Sequence, residues 1–189
     1  SCLVGSEMCI RDSQSSYKKM EFFISEYSSI FNQKKNFVLD FGSHDVNGSY
    51  RPLFSSDSWN YTGLDLTSGP NVDLVTNDPY EWAEIEDEKF DLVISGQALE
   101  HCDFFWLIFL EIKRVLKPNG HACIIAPSSG PEHKYPVDCW RFYPDGMKAL
   151  CNYSGLELIK AETEWNPPDY EDGSQVWKDT ILVAKKPIK

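Results

Sequence analysis

An apolar run that ends in an acid and is followed by a glycine constrains the fold of this chain more than any other feature. The run is Asn36–Phe41, with Asp40 close to its end and Gly42 directly after it. This pattern is typical of a buried strand that ends in a tight turn beneath a nucleoside ligand. A second apolar run ends in Asp65, whose carboxylate can accept both ribose hydroxyls of the same ligand. The two segments together predict a nucleoside cofactor on an open α/β sheet.

Strand and helix patterns alternate along the first two-thirds of the chain. Apolar runs bounded by turn residues predict strands at 36–41, 60–64, 72–75, 90–95 and 121–126. Apolar residues at helical spacing, with caps and breakers, predict helices at 17–31, 79–85, 103–116 and 146–153. We expect Asp103 to cap the third helix and Gly155 to end the fourth. Alternation of this kind predicts a mostly parallel sheet with helices on both faces.

The end of the chain has a different pattern. Two further strands, at 156–162 and 176–185, are joined by a loop rich in proline, aspartate and glycine with no helical periodicity. Strands joined without a crossover helix pair antiparallel. The predicted fold class is therefore α/β, a doubly wound seven-stranded sheet that is mostly parallel and carries an antiparallel C-terminal hairpin strand.

Charge and hydrophobicity exclude several classes of partner. The 189-residue chain has a net charge of −11 and no run of basic residues, which argues against nucleic acid as a partner. Its longest apolar run, 104–110, is far shorter than the roughly 20 residues of a membrane span. Cysteines beyond the N-terminus form no Cys-x-x-Cys pair. We therefore expect free thiols in a reducing cytoplasm, with no disulfide framework and no metal site.

The N-terminus differs from the rest of the chain. Residues 2–12 read like the translation of a sequencing-library adapter. The segment lacks the basic region and the apolar core of a signal peptide. We expect residues 1–13 to be non-native and unstructured, and residues 14–189 to form a single domain.

Four blocks, in order and spacing, resemble the class I S-adenosylmethionine-dependent methyltransferases, in particular the small-molecule branch of the methyltransferase type 11 kind. The resemblance covers roughly 17–185, and its blocks are 38–43, 63–65, 90–101 and 111–120. It implies a Rossmann-like sheet, S-adenosylmethionine as cofactor, and methyl transfer to an oxygen or nitrogen of a small-molecule acceptor, with glycans and lipid-linked glycans among the candidates. The resemblance leaves the oligomeric state of this protein open.

One part of the first block departs from the family pattern. The family usually has Gly-x-Gly-x-Gly, whereas His44 and Val46 stand at the later glycine positions of this chain. We expect a different loop path, with the turn at Asn47-Gly48. The departure motivates an alternative function, a non-catalytic protein that binds S-adenosylmethionine or S-adenosylhomocysteine and acts as a partner or regulator. A nicotinamide dehydrogenase is a weaker rival, because Gly-x-Gly-x-x-Gly is missing from this loop.

The resemblance assigns cofactor contacts to residues that follow the strands, at the sheet edge where ligands of α/β proteins bind. These candidates are Asp40, Gly42, Ser43, Asp65, Leu66, Asn77, Asp78, Ser95, Gly96 and Gln97. Structural roles remain open for some of them. Asp40 can be a buried acid satisfied by loop amides, and the Asn77-Asp78-Pro79 sequence is also a turn signal.

Two histidines are candidate general bases for a hydroxyl acceptor. The first, His101, follows the fourth strand, and its alternative role is a backbone-bonded residue at a helix start. The second, His133, belongs to a long irregular stretch, 128–145, and long loops in compact domains tend to be functional. The same stretch contains the substrate candidates Asp138, Arg141 and Tyr143. Its alternative role is a rim loop packed by aromatic side chains.

Overall fold

The computed structural model describes residues 13–33, 35–46 and 48–188, which form a seven-stranded sheet with helices on both faces. The strands are β1 (Asn36–Phe41), β2 (Trp59–Asp65), β3 (Leu74–Val75), β4 (Phe90–Gly96), β5 (Leu116–Ala126), β6 (Glu157–Thr163) and β7 (Thr180–Lys185). The α-helices are α1 (Gln14–Tyr27), α2 (Phe105–Val115) and α3 (Pro144–Ser154). Short 3-10 helices lie at Ser28–Ile30, Arg51–Phe54, Leu99–His101 and Ser174–Trp177.

The strand order β3-β2-β1-β4-β5-β7-β6 confirms the predicted fold class. Strands β1 to β5 pair in parallel, whereas β7 pairs antiparallel with both β5 and β6. The chain builds outward from β1 through β2 to β3 and then returns to place β4 on the other side of β1. This reversal creates a crevice at the carboxyl ends of β1 and β4, which is where ligands bind in open α/β sheets.

Alternating side chains of the central strands build a separate core on each face. Val38 of β1 packs with Met20 and Phe23 of α1 on one face, while its neighbour Leu39 packs with Phe109 of α2 on the other. All residues of β4 are buried, as expected for a central parallel strand covered on both faces. Burial on both faces fixes the register of these strands and therefore the positions of the loops that follow them.

The predicted helix at 79–85 is wrong. The segment consists of turns, because several of its backbone groups bond to side chains of α2 and do not continue a helical ladder. Arg114 donates to the carbonyl oxygens of Trp82 (2.9 Å) and Ile85 (2.7 Å), and the Trp82 amide donates to Glu111 (2.8 Å). Periodicity alone could not reveal these long-range partners.

Helix boundaries also differ from the predictions at two places. Asp103 does not cap α2, whose N-cap is Phe104 without a side-chain bond; its carboxylate instead accepts from the Cys139 thiol at 3.3 Å. Ser13 was assigned to the unstructured N-terminal segment, but it is the N-cap of α1 and accepts from the Ser16 amide at 3.1 Å. Residues 1–12 of that segment, and Asn47 of the predicted turn, lie outside the described residues.

Other predictions agree with the structure. Gly155 ends α3 in the left-handed conformation, with φ of 72°, which glycine adopts readily. The cysteines within the described residues, Cys102, Cys123, Cys139 and Cys151, are free thiols. Among the described helices, none combines the length and apolar character that a membrane crossing requires.

Candidate active site

A cavity of about 270 Å³ opens at the carboxyl edge of β1, β2 and β4, beside the topological reversal. Its lining combines an apolar interior with a few polar groups, as is typical of small-molecule sites. Two groups of residues meet across it. Phe41, Gly42, Leu64, Asp65, Thr76 and Trp82 follow or end the first three strands, and we call them the β1–β3 wall. The second group is His101 and His133, which follow β4 and β5.

Asp65 is the polar centre of the β1–β3 wall. It ends β2, is half-buried, and lines the cavity. One carboxylate oxygen accepts from the His44 amide at 3.0 Å, and the other accepts from the amides of Leu66 (2.8 Å) and Thr67 (3.3 Å). These backbone donors fix the carboxylate in place. Because a carboxylate has about four acceptor positions, Asp65 can also accept hydroxyl groups from a ligand in the cavity.

The loop after β1 accommodates the two side chains that replace the family's glycines. Gly42 adopts φ of 68°, a left-handed conformation that favours glycine. The His44 ring lies over Gly69, where an added Cβ would come within 2.4 Å of Nε2. His44 Nδ1 is also 3.1 Å from the Thr67 hydroxyl. The ring is therefore held beside the cavity, which both His44 and Val46 line.

An apolar slot forms the interior of the same wall. Trp82 is 2% exposed and packs on Phe41, with ring centroids 5.6 Å apart. Leu66, which is 49% exposed, lies at the opening of the cavity. A flat slot of this kind suits an aromatic base.

Thr76, directly after β3, lines the cavity and was missed by the sequence interpretation. Asn77 and Asp78, the predicted adenine contacts, are exposed and lie outside the lining. The Asp78 carboxylate accepts from the Tyr80 amide at 2.7 Å. A bond of this kind is typical of a turn, which is the alternative role of this segment.

Several predicted cofactor residues lie behind the cavity lining. Asp40 is buried and accepts a short hydrogen bond from the Tyr61 hydroxyl. Ser95 donates to the Phe41 carbonyl at 2.9 Å, and Ser43 donates to the Asn71 carbonyl at 3.2 Å. Gly96 is packed so tightly that an added Cβ would lie 1.9 Å from the Tyr50 hydroxyl. These residues shape the loops around the cavity from behind.

Of the predicted residues Ser95, Gly96 and Gln97 at the end of β4, Gln97 lines the cavity. It is 4% exposed and adopts φ of 52°, an uncommon conformation for a residue with a side chain. Its amide donates to the Ile125 carbonyl at 2.9 Å, and its side chain donates to Asp179 at 2.8 Å. These bonds hold the loop after β4 in the turned conformation that directs the chain toward His101.

Across the cavity from the wall, charged groups cluster around two histidines. We call Glu100, His101, His133, Asp138 and Arg141 the acid–histidine rim. The two imidazole rings meet edge to face, with centroids 5.0 Å apart. His101 Nδ1 lies 2.5 Å from the Val137 carbonyl oxygen. Since a carbonyl oxygen only accepts, Nδ1 carries the hydrogen and Nε2 of the neutral ring has the lone pair.

An ion pair holds His133 in position. Arg141 donates to both carboxylate oxygens of Asp138, at 2.6 and 2.8 Å, and Asp138 accepts from the His133 amide at 2.8 Å. Burial opposes the charge on Asp138, but these donors outweigh it and lower its pKa to about 2. The pKa of His133 is lowered by burial, against the opposing charge of Asp138. The His133 ring is therefore neutral near neutral pH.

Glu100 has the most unusual environment of the rim. It is fully buried, and neither carboxylate oxygen has a hydrogen-bond partner among the described residues. Burial raises its pKa to about 8. Its backbone carbonyl accepts from the Cys139 amide at 2.7 Å, which ties the 128–145 stretch to this point. An unpartnered buried carboxylate is costly and marks the rim as a site with a function.

Comparisons with known proteins decide the family. Residues 39–124 match the family model of a methyltransferase domain. This match covers the loop with Gly42, the predicted ribose acceptor Asp65, the end of β1 and all of β4. This match and the fold support a class I S-adenosylmethionine-dependent methyltransferase. The cofactor of this family is S-adenosylmethionine.

Sequence similarity to a curated methyltransferase covers a limited region. The chain is 31% identical over 75 residues to "Probable pectin methyltransferase QUA2" of Arabidopsis thaliana. That alignment covers 40% of this chain and 9% of the plant protein. The chain therefore corresponds to a small part of that relative's length.

Solved methyltransferase-fold structures match the chain over nearly its whole length. The [4+2]-cyclase SpnF has a TM-score of 0.69 at 16% identity, with 97% of this chain and 86% of SpnF covered. The 1,6-didemethyltoxoflavin-N1-methyltransferase of Burkholderia thailandensis, solved with S-adenosylhomocysteine, has a TM-score of 0.62 at 15% identity, with 97% and 93% covered. At these identities the likeness concerns the fold.

Within this methyltransferase, the structure brings together part of the predicted site. Gly42, Asp65, Leu66, Gln97, His101 and His133 line one cavity. The predicted substrate residues Asp138, Arg141 and Tyr143 do not line this cavity. Asp138 and Arg141 support His133 from behind, and Tyr143 is 52% exposed and stacks on Trp165 at 6.0 Å.

Sequence reasoning missed three residues that matter here. Thr76 and Trp82 line the cavity from turns whose path depends on α2, and Glu100 is placed by the anchoring of a distant loop. The signal that could have pointed to Glu100 is its position directly before His101 in the sequence.

Proposed function

We propose that this methyltransferase transfers a methyl group from S-adenosylmethionine to an oxygen or nitrogen of a small-molecule acceptor. The observation that carries the proposal is that Asp65, held by three backbone amides, opens into the same cavity as His101 and His133. A cofactor seat and a candidate base thus face each other across one space. Similarity to a relative named as a pectin methyltransferase supports oxygen atoms of glycans among the acceptors.

The cofactor fits the β1–β3 wall in one direction. Asp65 would accept the two ribose hydroxyls, and the base would lie in the apolar slot beside Leu66 and Trp82. Gly42, without a side chain, would allow the methionine end to pass along the first loop toward Gln97. This direction points the sulfonium methyl toward the acid–histidine rim, so an acceptor between the two would receive it in line.

The rim would serve the acceptor. In neutral His101, Nε2 has the lone pair and can take a proton from an acceptor hydroxyl. Burial keeps His133 in its neutral form, so it is a second possible proton acceptor. A neutral amine would need no base before transfer. The protein's main contributions would be positioning and the exclusion of water.

The first experiment is a calorimetric titration with S-adenosylhomocysteine. Loss of Asp65 removes two charge-assisted hydrogen bonds, each worth about 1.5–3 kcal/mol, so Asp65→Ala should weaken binding by about 100-fold or more. Asp57→Ala is the matched control, because Asp57 is an exposed acid just before the start of the same strand. Equal affinity in all three proteins would contradict the proposed cofactor seat.

The second experiment is a screen for turnover. For a hydroxyl acceptor, removing the base should lower turnover by about 10²- to 10⁴-fold. The turnover of the His101→Ala and His133→Ala variants is therefore compared with that of the unmodified protein. Normal turnover of a hydroxyl acceptor in both variants would remove the general-base proposal. Transfer to an amine should be much less affected.

A second candidate function is cofactor binding without methyl transfer. It is favoured by His44 and Val46, which line the cavity at positions where the family has glycine. A structural neighbour named as a [4+2]-cyclase shows that this fold also occurs with other chemistry. Methyl transfer to any acceptor in the screen would rule this candidate out.

We also propose that residues 14–189 are one functional domain that works in a reducing compartment such as the cytoplasm. The free thiols of the described chain support the second part. Reagent labelling after denaturation of protein purified without reductant tests it, because Cys123 and Cys151 are buried in the folded protein; thiols that stay blocked in the denatured protein would contradict it.

A further inference from the structure

Glu100, His101 and His133 form a cluster whose potential ligand atoms all lie within 4.8 Å of one another. The family's cofactor needs none of them as a ligand. His101 and His133 line the cavity, while Glu100 lies behind them and is fully inaccessible to solvent. The cluster therefore joins a buried carboxylate to two imidazoles at the acceptor side of the cavity.

A buried carboxylate without donors requires an explanation. Both Glu100 oxygens lack a hydrogen-bond partner within the described chain, and His101 Nε2 is 3.8 Å away. A carboxylate in this situation persists in a fold when it is protonated or when a cation compensates its charge. The nearby cationic side chain, Arg141, is already bound to both oxygens of Asp138. Within the described protein no side chain compensates the charge of Glu100, so either a proton or a cation that replaces the proton must do so.

His101 has the tautomer that a metal ligand needs, and His133 lies against a carboxylate that can support it. The Val137 carbonyl oxygen fixes the hydrogen of His101 on Nδ1, so Nε2 is the atom with the lone pair toward Glu100. His133 Nδ1 lies 3.3 Å from the Asp138 carboxylate, which is itself held by Arg141. Backbone carbonyls and carboxylates behind the imidazoles are the usual supports of metal-binding histidines.

We infer that Glu100, His101 and His133 bind one divalent first-row transition ion, such as Zn²⁺ or Mn²⁺, at the acceptor side of the cavity. Two imidazoles and a carboxylate are a ligand set that these ions accept. Ligand atoms on a tetrahedral ion at about 2.1 Å lie roughly 3.4 Å apart. Pairs now at the 4.8 Å limit would have to approach by about 1.4 Å, which small rotations of the three side chains can supply.

The inference rests on the proposed function for its chemical consequence and narrows the acceptor to an oxygen compound. Three protein ligands leave positions on the ion open toward the cavity. A hydroxyl oxygen bound there loses its proton to solvent near neutral pH. The resulting oxyanion forms the O–C bond to the methyl group as the C–S bond breaks. The electron pair of the broken C–S bond remains on the sulfur of S-adenosylhomocysteine. The ion then replaces His101 as the group that activates the acceptor.

The test is metal binding by the full chain, freed of ions by chelator dialysis and titrated with Mn²⁺ and Zn²⁺ in a calorimeter. Mn²⁺ is the main probe, because it prefers oxygen and nitrogen to the thiolates that this chain also contains. We expect one ion per chain in the unmodified protein. Glu100→Gln and His133→Ala should each weaken binding at least about 10-fold.

Two matched controls should bind the ion normally. Glu132→Gln changes an exposed carboxylate next to His133 in the sequence, and Asp65→Ala removes the proposed cofactor seat. Glu100→Gln preserves the shape and removes an unpartnered buried charge, so thermal unfolding should show a folded protein. Absence of Mn²⁺ and Zn²⁺ binding, or full binding in both Glu100→Gln and His133→Ala, would overturn the inference.

A separate titration with S-adenosylhomocysteine in metal-free buffer distinguishes the two proposals. If the cofactor binds but the ion does not, the proposed function stands and the metal site fails. If the ion binds but the cofactor does not, the metal site stands and the proposed cofactor seat fails. Methyl transfer to a hydroxyl that is lost with chelator and restored by Mn²⁺ or Zn²⁺ would support both.

Discussion

The two sides of the cavity satisfy their polar groups in different ways. On the β1–β3 wall, the Asp65 carboxylate accepts three backbone amides from its own and the neighbouring loop. On the acid–histidine rim, Asp138 depends mainly on the side chain of Arg141, and Glu100 has no hydrogen-bond partner for its carboxylate in the described chain. The carboxylate of the wall is fully held by backbone donors, whereas the rim contains a carboxyl group without a hydrogen-bond partner in the described chain.

The difference indicates which side is built for a constant ligand and which for a variable one. Backbone amides fix a carboxylate in one geometry at little cost to the fold, which suits a cofactor that never changes. Buried side-chain charges without partners destabilise the fold. They are expected where a ligand or ion completes the arrangement. Changes to the wall should therefore reduce stability and cofactor binding together, and changes to the rim should reduce stability less.

The largest effect is expected for Trp82→Ala in the wall. Trp82 is 2% exposed and packs on Phe41, so its loss should lower the free energy of unfolding by about 3–5 kcal/mol. The same substitution in the 128–145 stretch, Trp140→Ala, should lower it by only about 1 kcal/mol. Trp140 is 39% exposed, with one indole bond to the Cys102 carbonyl at 3.1 Å. Urea unfolding of both variants measures the difference. Equal losses would break the distinction between the wall and the 128–145 stretch that carries His133.

A smaller effect is expected where the wall accommodates its unusual loop. An added methyl at Gly69 would lie 2.4 Å from His44 Nε2, so in Gly69→Ala the ring must move, and it lines the cavity. We expect S-adenosylhomocysteine to bind about 3- to 10-fold more weakly, a loss of roughly 1 kcal/mol.

Two further variants sharpen this prediction. Gly146→Ala is the control, since an added methyl there meets nothing within 4 Å, and its affinity for S-adenosylhomocysteine should be unchanged. In the double variant His44→Ala with Gly69→Ala, affinity should return, because the moving ring is gone. If Gly69→Ala binds normally, the ring moves outward and the loop after β1 is looser than its contacts indicate.

The wall could be predicted from the sequence more fully than the rim because its signals are local. An apolar run, a following glycine and an acid at the end of the next run specify β1, Gly42 and Asp65 within 30 residues of chain. The fold class could be predicted because alternating strand and helix patterns permit few topologies. Predictions failed where a long-range bond decides the local path. The segment 79–85 is held by Arg114 and Glu111, so it does not form the helix that its spacing suggested.

The rim could be predicted only in part, since its members come from separate segments. His101 and His133 were candidates because histidine chemistry is recognisable in isolation. Glu100 was not, because its burial depends on the Cys139 amide and the loop that carries it. Asp138, Arg141 and Tyr143 were assigned to substrate by their residue types. The structure gives the first two a supporting role and leaves Tyr143 against Trp165.

The smallest expected effect concerns Asp179, a buried carboxylate that does have donors and so contrasts with Glu100. It accepts from Ser15 at 2.7 Å and from Gln97 at 2.8 Å. Burial nevertheless raises its pKa, with a further contribution from Glu164 and against the donors and Lys19. An acid with a raised pKa in the folded state binds its proton more tightly there than in the unfolded chain. The stability it contributes is therefore present at low pH and is lost as pH rises through its folded pKa.

Asp179→Asn lacks this titration, so its free energy of unfolding relative to the unmodified protein should shift in its favour as pH rises from about 4 to 7. The charge of Asp179 also raises the pKa of Glu100, so Asp179→Asn removes that contribution as well, and both changes favour the variant as pH rises. Urea unfolding at several pH values measures the shift, and Asp57→Asn, an exposed acid, should run parallel to the unmodified protein. A shift in the opposite direction would mean that the donors on Asp179 outweigh its burial. Asp179, with its donors, would then favour its charged form, whereas Glu100, without a hydrogen-bond partner in the described chain, favours its proton. The contrast between the two buried acids would be sharper than the raised pKa of Asp179 suggests.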